Sequence, residues 1–254
     1  MKIRFLGTGT SQGIPLLACT CPVCRSQNPK DSRLRTSALI EHKGDYLLID
    51  PGPDLRQQLL QLASLPQLSG ILITHEHGDH TAGLDDLRPF NVINPSLSLY
   101  AEDRVCQDLQ QRFGYIFGDK PYKGGPKLSL KTVKVEQAFT LGNFEILPLR
   151  IFHGELPILA YKIGPLVYIT DAKQIPPSSF ESILESEVLV LNALRKSVHP
   201  THLSLDEAVE FAEKTKIKKV YLTHLSHQMG LHDEASTLLP ENIKIAYDGL
   251  EVEI

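Results

Sequence analysis

Residues 74 to 80 read THEHGDH and place three histidines and two carboxylates in a seven-residue stretch. Imidazole and carboxylate groups are ligands that suit zinc, manganese and iron in proteins. In an extended chain, His75 and His77 point to the same side and can bind one ion. Asp79 and His80 follow a glycine that lets the backbone turn, so they can face a second ion. The motif therefore predicts two metal sites, and the alternative is a polar turn that only caps a helix.

A four-ligand motif cannot complete two metal sites, so further ligands must come from elsewhere in the chain. Three candidates follow apolar, strand-like runs, as the motif itself does: His153, Asp171 and His224. A carboxylate at position 171 could bridge two ions. Singly, each could be a surface histidine or an aspartate that caps a strand, but together they complete the ligand count.

Three of the four cysteines lie in the segment CTCPVC, at Cys19, Cys21 and Cys24. Cys19 and Cys21 are too close in sequence for an ordinary disulfide. Three thiolates within six residues suit tetrahedral zinc with one ligand outstanding, and the alternative is three reduced core cysteines. Spacing alone leaves the fourth ligand open among Cys106, His227 and another histidine. An iron–sulfur cluster is disfavoured because Cys106, the remaining thiol, is far away in sequence.

The length allows one large domain or two small ones, and 42% apolar residues can form a sizeable core; we expect one domain over residues 1–254. The net charge of −4 and the scattered lysines and arginines give no basic stripe, so no nucleic-acid partner is predicted. The first residues lack a signal-peptide pattern, and no apolar run approaches the roughly 18 to 20 residues that span a bilayer. We therefore expect a soluble, cytoplasmic protein.

Gly7, Gly9 and Gly13 miss the G-x-G-x-x-G spacing by one residue, which argues against a dinucleotide-binding fold.

The elements that must position these residues are mostly short strands in two groups. They are predicted at 2–6, 37–41, 46–49 and 70–73, then at 143–149, 158–163, 165–170, 187–192, 218–222 and 243–247. One helix is predicted at 54–63 and another after a capping box formed by Ser204 and Glu207. The second half of the pattern echoes the first. The sequence thus predicts an α+β fold with sandwiched sheets rather than a regular βαβ alternation.

The motif HEHGDH, followed by the later His153, Asp171 and His224, resembles the H-x-H-x-D-H signature and remaining ligands of the metallo-β-lactamase superfamily. The resemblance implies an αββα four-layer sandwich with a binuclear metal site at its rim. It implies that one ion is bound by His75, His77 and His153, that the other is bound by Asp79, His80 and His224, and that Asp171 bridges the two.

Within that superfamily, the chain is similar over nearly its whole length to the PhnP type of cyclic phosphodiesterase. The matching stretches are GTGTSQGIP at 7–15, CTCPVC at 19–24, LRTSALI at 34–40, LITHEHGDHTAGLDDLRP at 72–89, THLSHQ at 223–228 and YDG at 247–249. This similarity implies manganese as the active-site metal, while zinc and iron suit the same ligands, and it also implies a homodimer. It further implies a small zinc-binding loop near 19–24, with one structural zinc on Cys19, Cys21, Cys24 and His227.

Two cations about 3.5 to 4 Å apart can hold a shared hydroxide and bind the oxygens of a phosphodiester for in-line displacement. Asp79 can orient this nucleophile besides binding metal. For protonation or charge stabilisation at the leaving oxygen we expect His202, which lies just before the capped helix. The resemblance favours His202 over His199, whereas the spacing does not separate them. We therefore predict a phosphodiesterase for a small cyclic phosphate, of the phosphoribosyl 1,2-cyclic phosphate or 2′,3′-cyclic nucleotide type.

Other activities share parts of this pattern. Zinc β-lactamases usually have cysteine where Asp171 stands and lack the ligand at His80, so lactam hydrolysis is disfavoured. A thioester hydrolase like glyoxalase II and a transfer-RNA processing enzyme like RNase Z share the metal ligands, but the sequence shows neither the helical extension of the first nor the long inserted arm of the second. A non-enzymatic protein with purely structural metals is the remaining alternative, although structural sites usually saturate their ions.

Overall fold

The computed structural model describes residues 1–254 and contains two seven-stranded sheets. The strands are β1 (Lys2–Gly7), β2 (Ser37–His42), β3 (Asp45–Ile49), β4 (Leu68–Leu72), β5 (Leu97–Ala101), β6 (Leu128–Thr132), β7 (Phe139–Leu141), β8 (Phe144–His153), β9 (Leu156–Ile163), β10 (Leu166–Tyr168), β11 (Val188–Asn192), β12 (Lys219–Thr223), β13 (Ile243–Ile245) and β14 (Glu251–Glu253). The helices are α1 (Leu55–Leu59), α2 (Gly78–Thr81), α3 (Asp103–Arg112), α4 (Gly114–Phe117), α5 (Pro177–Leu184), α6 (Leu205–Thr215) and α7 (His232–Ser236). Three 3-10 helices span Pro29–Asp31, Leu84–Val92 and His227–Met229.

The two sheets have the same internal plan. The first sheet has the order β14-β1-β2-β3-β4-β5-β6, and the second has the order β13-β12-β11-β10-β9-β8-β7. In the first sheet, the pairings from β14 to β3 are antiparallel and those from β3 to β6 are parallel. In the second, the pairings from β7 to β10 are antiparallel and those from β10 to β13 are parallel. The echo between the two halves of the sequence therefore reflects two similar sheets.

Apolar side chains form one core between the sheets and one core on each outer face. Strand β11 illustrates why, because all five of its residues are buried and alternate residues point to opposite faces. Val188 and Val190 belong to the core between the sheets, whereas Leu189 and Leu191 pack beneath the outer helices. Strands covered on both faces must be apolar throughout, as the sequence of β11 is. The predicted αββα four-layer sandwich is confirmed.

The helix after Ser204 forms as predicted. The Ser204 amide donates to Glu207 Oε2 over 2.8 Å, and the Glu207 amide donates to Ser204 Oγ over 3.4 Å. These two bonds satisfy backbone donors at the helix start that have no partner within the helix. Leu205, Ala208 and Ala212 of α6 then face the core. This helix begins directly after His202 and therefore fixes the backbone that follows this histidine.

The helix predicted at 54–63 is shorter in the structure. Regular α-helix ends at Leu59, and the chain continues in tighter turns, with the Leu62 amide donating to Leu59 O over 3.0 Å. The sequence pattern also missed β5, β6, β7, β14, α3 and α5, of which β6 and β14 lie at sheet edges with much of their surface exposed. Edge strands have weak hydrophobic periodicity because few of their residues are buried. Helix α3 is polar apart from one face, where Val105, Cys106 and Leu109 are buried. None of the helices is long and apolar enough to span a membrane.

The side chain of Tyr161, from β9, supports the backbone just before the histidine motif, and this role can be tested. Its ring is fully buried, and its hydroxyl donates to Ile73 O over 2.7 Å. We expect Tyr161→Phe to lower the free energy of unfolding by about 1–3 kcal/mol, because a buried carbonyl loses its donor. Chemical denaturation measures this change. Tyr122→Phe is the matched control, since Tyr122 is 69% exposed; equal stability of both variants would refute the assignment.

Candidate functional site

Polar side chains from five strand ends meet at one rim between the two sheets. Asp50 follows β3, the histidine motif follows β4, His153 ends β8, Asp171 lies beyond β10 and His224 follows β12. The structure brings together the active-site residues that the sequence singled out. We call the following set the histidine–aspartate cluster: His75, His77, Asp79, His80, His153, Asp171 and His224.

Three of the residues at this rim have strained backbones. Asp50, Asp171 and His224 have φ angles of 53°, 57° and 56°, in the left-handed region that side chains other than glycine rarely adopt. Such conformations cost of order 1–3 kcal/mol each and persist only where the surrounding structure enforces them. Here the chain turns sharply at the end of a buried strand, and the turn directs each side chain into the rim.

His80 is fully buried and surrounded by carboxylates. Its Nδ1 lies 2.8 Å from Asp50 Oδ2, and its Nε2 lies 3.1 Å from Asp79 Oδ2 and 3.2 Å from Asp171 Oδ2. Burial opposes a charge on this imidazole, but the carboxylates of Asp79, Asp171 and Asp50 together raise the pKa of His80 well above its usual value. In this arrangement a proton on His80 offsets part of the buried negative charge, which a bound cation would otherwise do.

Asp50 was not predicted from the sequence, yet it orients the motif. Its carboxylate accepts hydrogen bonds from the amide and hydroxyl of Thr74, over 2.8 and 2.7 Å, in addition to its contact with His80. A carboxylate on one imidazole nitrogen sets the tautomer and leaves the other nitrogen free to bind a metal. The available signal was an acidic residue directly after an apolar strand, which is the signal that identified Asp171.

The buried nitrogens of this cluster test whether divalent cations fit. His80 Nε2 and both ring nitrogens of His224 are buried and form no hydrogen bond. His224 Nε2 lies 3.2 Å from Asp171 Oδ1 and 3.7 Å from Asp79 Oδ2. Buried polar atoms without partners are costly, and here the two Nε2 atoms face the carboxylates of Asp79 and Asp171. The donor set fits divalent metal ions, which the fold also implies.

The other three histidines of the cluster lie side by side. His75 Nε2 is 3.0 Å from His77 Nδ1, and the rings of His77 and His153 have centroids 5.3 Å apart. Burial, followed by the charge of His80, lowers the pKa of His75, which favours the neutral form that binds metal. His153 Nδ1 lies 2.8 Å from Thr201 O, a contact that leaves its Nε2 available.

The structure distinguishes His202, which the resemblance favoured, from His199, which the spacing alone could not do. His202 Nε2 lies 2.9 Å from Asp171 Oδ1, and its ring is 4.4 Å from that of His153. His199 contacts His202 from the side away from the cluster, with Nδ1 atoms 3.2 Å apart. Burial lowers the pKa of His202 to about 4. His202 also forms a possible ligand group with His153 and Asp171, so it directly adjoins the cluster.

The predicted zinc loop closes onto His227. The Nδ1 atom of His227 lies 3.3 Å from Cys19 Sγ, 3.3 Å from Cys21 Sγ and 3.7 Å from Cys24 Sγ. A tetrahedral ion with Zn–S of about 2.3 Å and Zn–N of about 2.0 Å would separate sulfur and nitrogen by roughly 3.5 Å. A hydrogen bond from the Cys24 amide lowers the pKa of Cys21 to about 6, which favours a thiolate. Cys106 lies elsewhere, on the buried face of α3.

Comparisons with known proteins agree with this geometry. A family model described as the beta-lactamase superfamily domain matches residues 45–225. A crystal structure of a diphosphatase from the PhnP family superposes with a TM-score of 0.91 at 38% identity, covering 100% of this chain and 97% of the other.

Curated relatives carry two different names. The chain is 42% identical over 256 residues to an octanoyltransferase of Porphyromonas gingivalis, covering 100% of this chain but only 52% of that relative. It is 22% identical over 309 residues to coenzyme PQQ synthesis protein B of Acinetobacter baumannii, covering 100% of both chains. The family model spans most of the chain and includes every member of the histidine–aspartate cluster. The chain therefore belongs to the β-lactamase superfamily and has the metallo-β-lactamase fold.

Proposed function

We propose that this β-lactamase-superfamily hydrolase is a binuclear metal-dependent phosphodiesterase that cleaves a small cyclic phosphate. The observation that carries the proposal is His202, an imidazole that lies 2.9 Å from Asp171 beside a seven-residue ligand set. The likeness to a PhnP-family diphosphatase, at 38% identity over the whole chain, supports phosphoryl chemistry. A diphosphate bond is the second candidate substrate, because that structural relative is described as a diphosphatase.

The ligand assignment is part of this proposal. We assign one ion to His75, His77 and His153, the second to Asp79, His80 and His224, and a bridging position to Asp171. When bound, two divalent ions lower the pKa of water and neutralise charge on the phosphoryl oxygens. Manganese and zinc both suit these ligands. Asp79, whose side chain is 13% exposed, lies between the buried cluster and solvent and is placed to orient the attacking water.

His202 acts on the leaving oxygen in this proposal. With its pKa lowered to about 4 by burial, its imidazole is neutral near pH 7. A neutral imidazole donates an N–H hydrogen bond that stabilises charge developing on oxygen. The Nε2 edge of His202 faces the cluster, while Thr201 Oγ1 lies 3.0 Å from its Nδ1 and holds the ring in place.

Other activities receive less support. The name of the P. gingivalis relative belongs to a protein about twice the length of the aligned region, so acyl transfer is not carried over to this chain. A cytoplasmic location and a homodimer remain expectations from the sequence. A protein whose metals are purely structural is the competing hypothesis, and turnover separates it from an enzyme.

The proposal predicts metal-dependent turnover. We expect the purified protein, loaded with manganese or zinc, to hydrolyse bis(p-nitrophenyl) phosphate and a 2′,3′-cyclic nucleotide, and to lose this activity on chelation. Asp171→Ala should lower kcat/KM by more than about 100-fold, since even outer-shell partners of a metal ligand contribute about 10–100-fold. Elemental analysis gives the metal content. Two or more ions per chain with no hydrolysis of any phosphoester would contradict the proposal, and the absence of diphosphate hydrolysis as well would favour the structural alternative.

His202 offers a second test. We expect His202→Ala to reduce kcat by about 10²–10³-fold, the usual cost of removing one hydrogen-bond donor that stabilises developing charge, while the metal content stays the same. His199→Ala should have a smaller effect. His42→Ala serves as the remote control, because His42 lies at the end of β2 that pairs with Asp45, away from the rim. Full activity in His202→Ala would show that the leaving-group assignment is wrong.

The zinc loop gives a third test. We expect Cys24→Ser to remove one equivalent of zinc per chain and to lower the melting temperature, because a structural metal contributes its binding free energy to folding. Cys106→Ser is the matched control, since Cys106 is buried but lies outside the loop. Zinc content by elemental analysis and melting by differential scanning fluorimetry measure both effects. Unchanged zinc in Cys24→Ser contradicts the assigned ligand set.

A further inference from the structure

Glu76 is the carboxylate of the THEHGDH stretch that neither metal site uses. It lies between His75 and His77, which we assign to the first ion. Its side chain is 19% exposed, and its Oε2 atom is buried without a hydrogen-bond partner. Its Oε1 atom contacts the guanidinium of Arg104, and no other cation pairs with it. A largely buried charge beside the first metal site therefore depends on one arginine.

Helix α3 supplies this arginine and contacts Glu76 at two points. The apolar face of the helix is buried in the outer core of the first sheet and consists of Val105, Cys106 and Leu109. Arg104 lies in the first turn and Arg112 is the last residue, so about 12 Å of helix separates them. Arg112 Nη2 donates to Glu76 O over 2.6 Å. The helix therefore holds both the side chain and the carbonyl of the residue between the two histidines.

Arg104 also contacts the second sheet. Its Nη2 donates to Pro157 O over 2.8 Å, while its Nη1 contacts Glu76. Pro157 lies in β9, next to the pair of residues on β8 and β9 that contains His153. One guanidinium therefore links the loop after β4 to the hairpin that carries His153.

This link matters because the ligands of the first ion come from both sheets. Two of the three assigned histidines follow β4 of the first sheet, and His153 ends β8 of the second. A functional site must hold its groups within about 0.5 Å of the productive geometry. The Leu159 amide, which donates to Thr74 O over 3.0 Å, fixes the two sheets relative to each other just before the histidines. Arg104 does the same beside the histidines themselves.

An ordinary surface ion pair would have little effect on a metal site, because water and salt screen it. Arg104 is itself 39% exposed, but the carboxylate that it contacts is largely buried. A buried carboxylate that loses its cation is strongly destabilised. Without Arg104, Glu76 would move toward solvent and would displace the backbone on either side of it, which carries two of the ligands.

We propose that Arg104 is a positioning residue for the first metal ion. It forms no hydrogen bond or ion pair with any member of the histidine–aspartate cluster, and it acts through Glu76 and Pro157. It thereby fixes the separation between the two histidines of the first sheet and the one of the second. The inference rests on the proposed ligand assignment and adds a residue of α3, which lies outside the metal-binding motif.

The test measures zinc affinity rather than turnover. Competition titration with a chromophoric chelator gives the dissociation constants of zinc at the rim, and His153→Ala identifies the constant that belongs to the first ion. We expect Arg104→Ala to weaken this ion by about 10–100-fold, the usual cost of losing an outer-shell partner, and to leave the second ion and the loop zinc unchanged. Arg4→Ala is the matched control, because Arg4 likewise contacts a carboxylate and a carbonyl, those of Glu251 and Gln61, away from the rim.

A second variant separates positioning from folding. Arg104→Lys keeps the charge, but its single ammonium nitrogen does not reproduce the guanidinium fork that holds two acceptors. We expect a smaller weakening of the first ion alone, with the melting temperature of the wild type. Wild-type affinity of the first ion in Arg104→Lys, or equal weakening of both rim ions in either variant, overturns the assignment.

The two proposals fail in different ways. Zinc binding is measured without substrate, so a wild-type protein that hydrolyses no phosphodiester refutes the proposed reaction and leaves the role of Arg104 standing. A wild-type protein that binds fewer than two ions at the rim refutes the ligand assignment and the role of Arg104 with it.

Discussion

Desolvation of charge is the constraint on which the rim between the sheets depends. Asp50 and Asp171 are almost fully buried, and Asp79 is only 13% exposed. A buried ion costs several kcal/mol unless opposite charge lies nearby. His80 supplies such a charge when protonated, and His224 and His80 in turn lower the pKa of Asp171 although burial opposes this. The polar centre is therefore stable only as a unit that also contains positive charge, which divalent ions supply.

The plan of the fold explains how residues so distant in sequence reach one place. Each sheet has an antiparallel part and a parallel part, and packing the two sheets face to face aligns the ends of β3, β4, β8, β10 and β12 along one rim. Each polar group comes directly after an apolar strand. The buried strand anchors the backbone in the core, so the side chain that follows has little freedom and needs no support from a long loop.

The histidine motif and the later strand-end residues could be identified from the sequence, because strand ends are marked by a change from apolar to polar residues, whereas the four layers were implied by the family resemblance. Asp50 also follows an apolar strand but was missed. Its carboxylate contacts Thr74 and His80, and it was not needed to complete the predicted set of metal ligands. Spacing did not separate His199 from His202, because a three-residue interval in a loop does not determine which ring points inward; the family resemblance favoured His202. Edge strands were missed because little of their surface is buried and their apolar pattern is weak, whereas α3 was missed because it is polar apart from one face, where Val105, Cys106 and Leu109 are buried.

The left-handed backbone at Asp50, Asp171 and His224 has a consequence for engineering of this protein. Glycine would relax each of these turns, yet glycine has no side chain to bind metal or to orient a ligand. Selection for thermal tolerance and selection for turnover therefore act in opposite directions at these three positions. Stabilising substitutions must be sought elsewhere, in the outer helices and the exposed loops, where a gain in rigidity leaves the rim between the sheets unchanged.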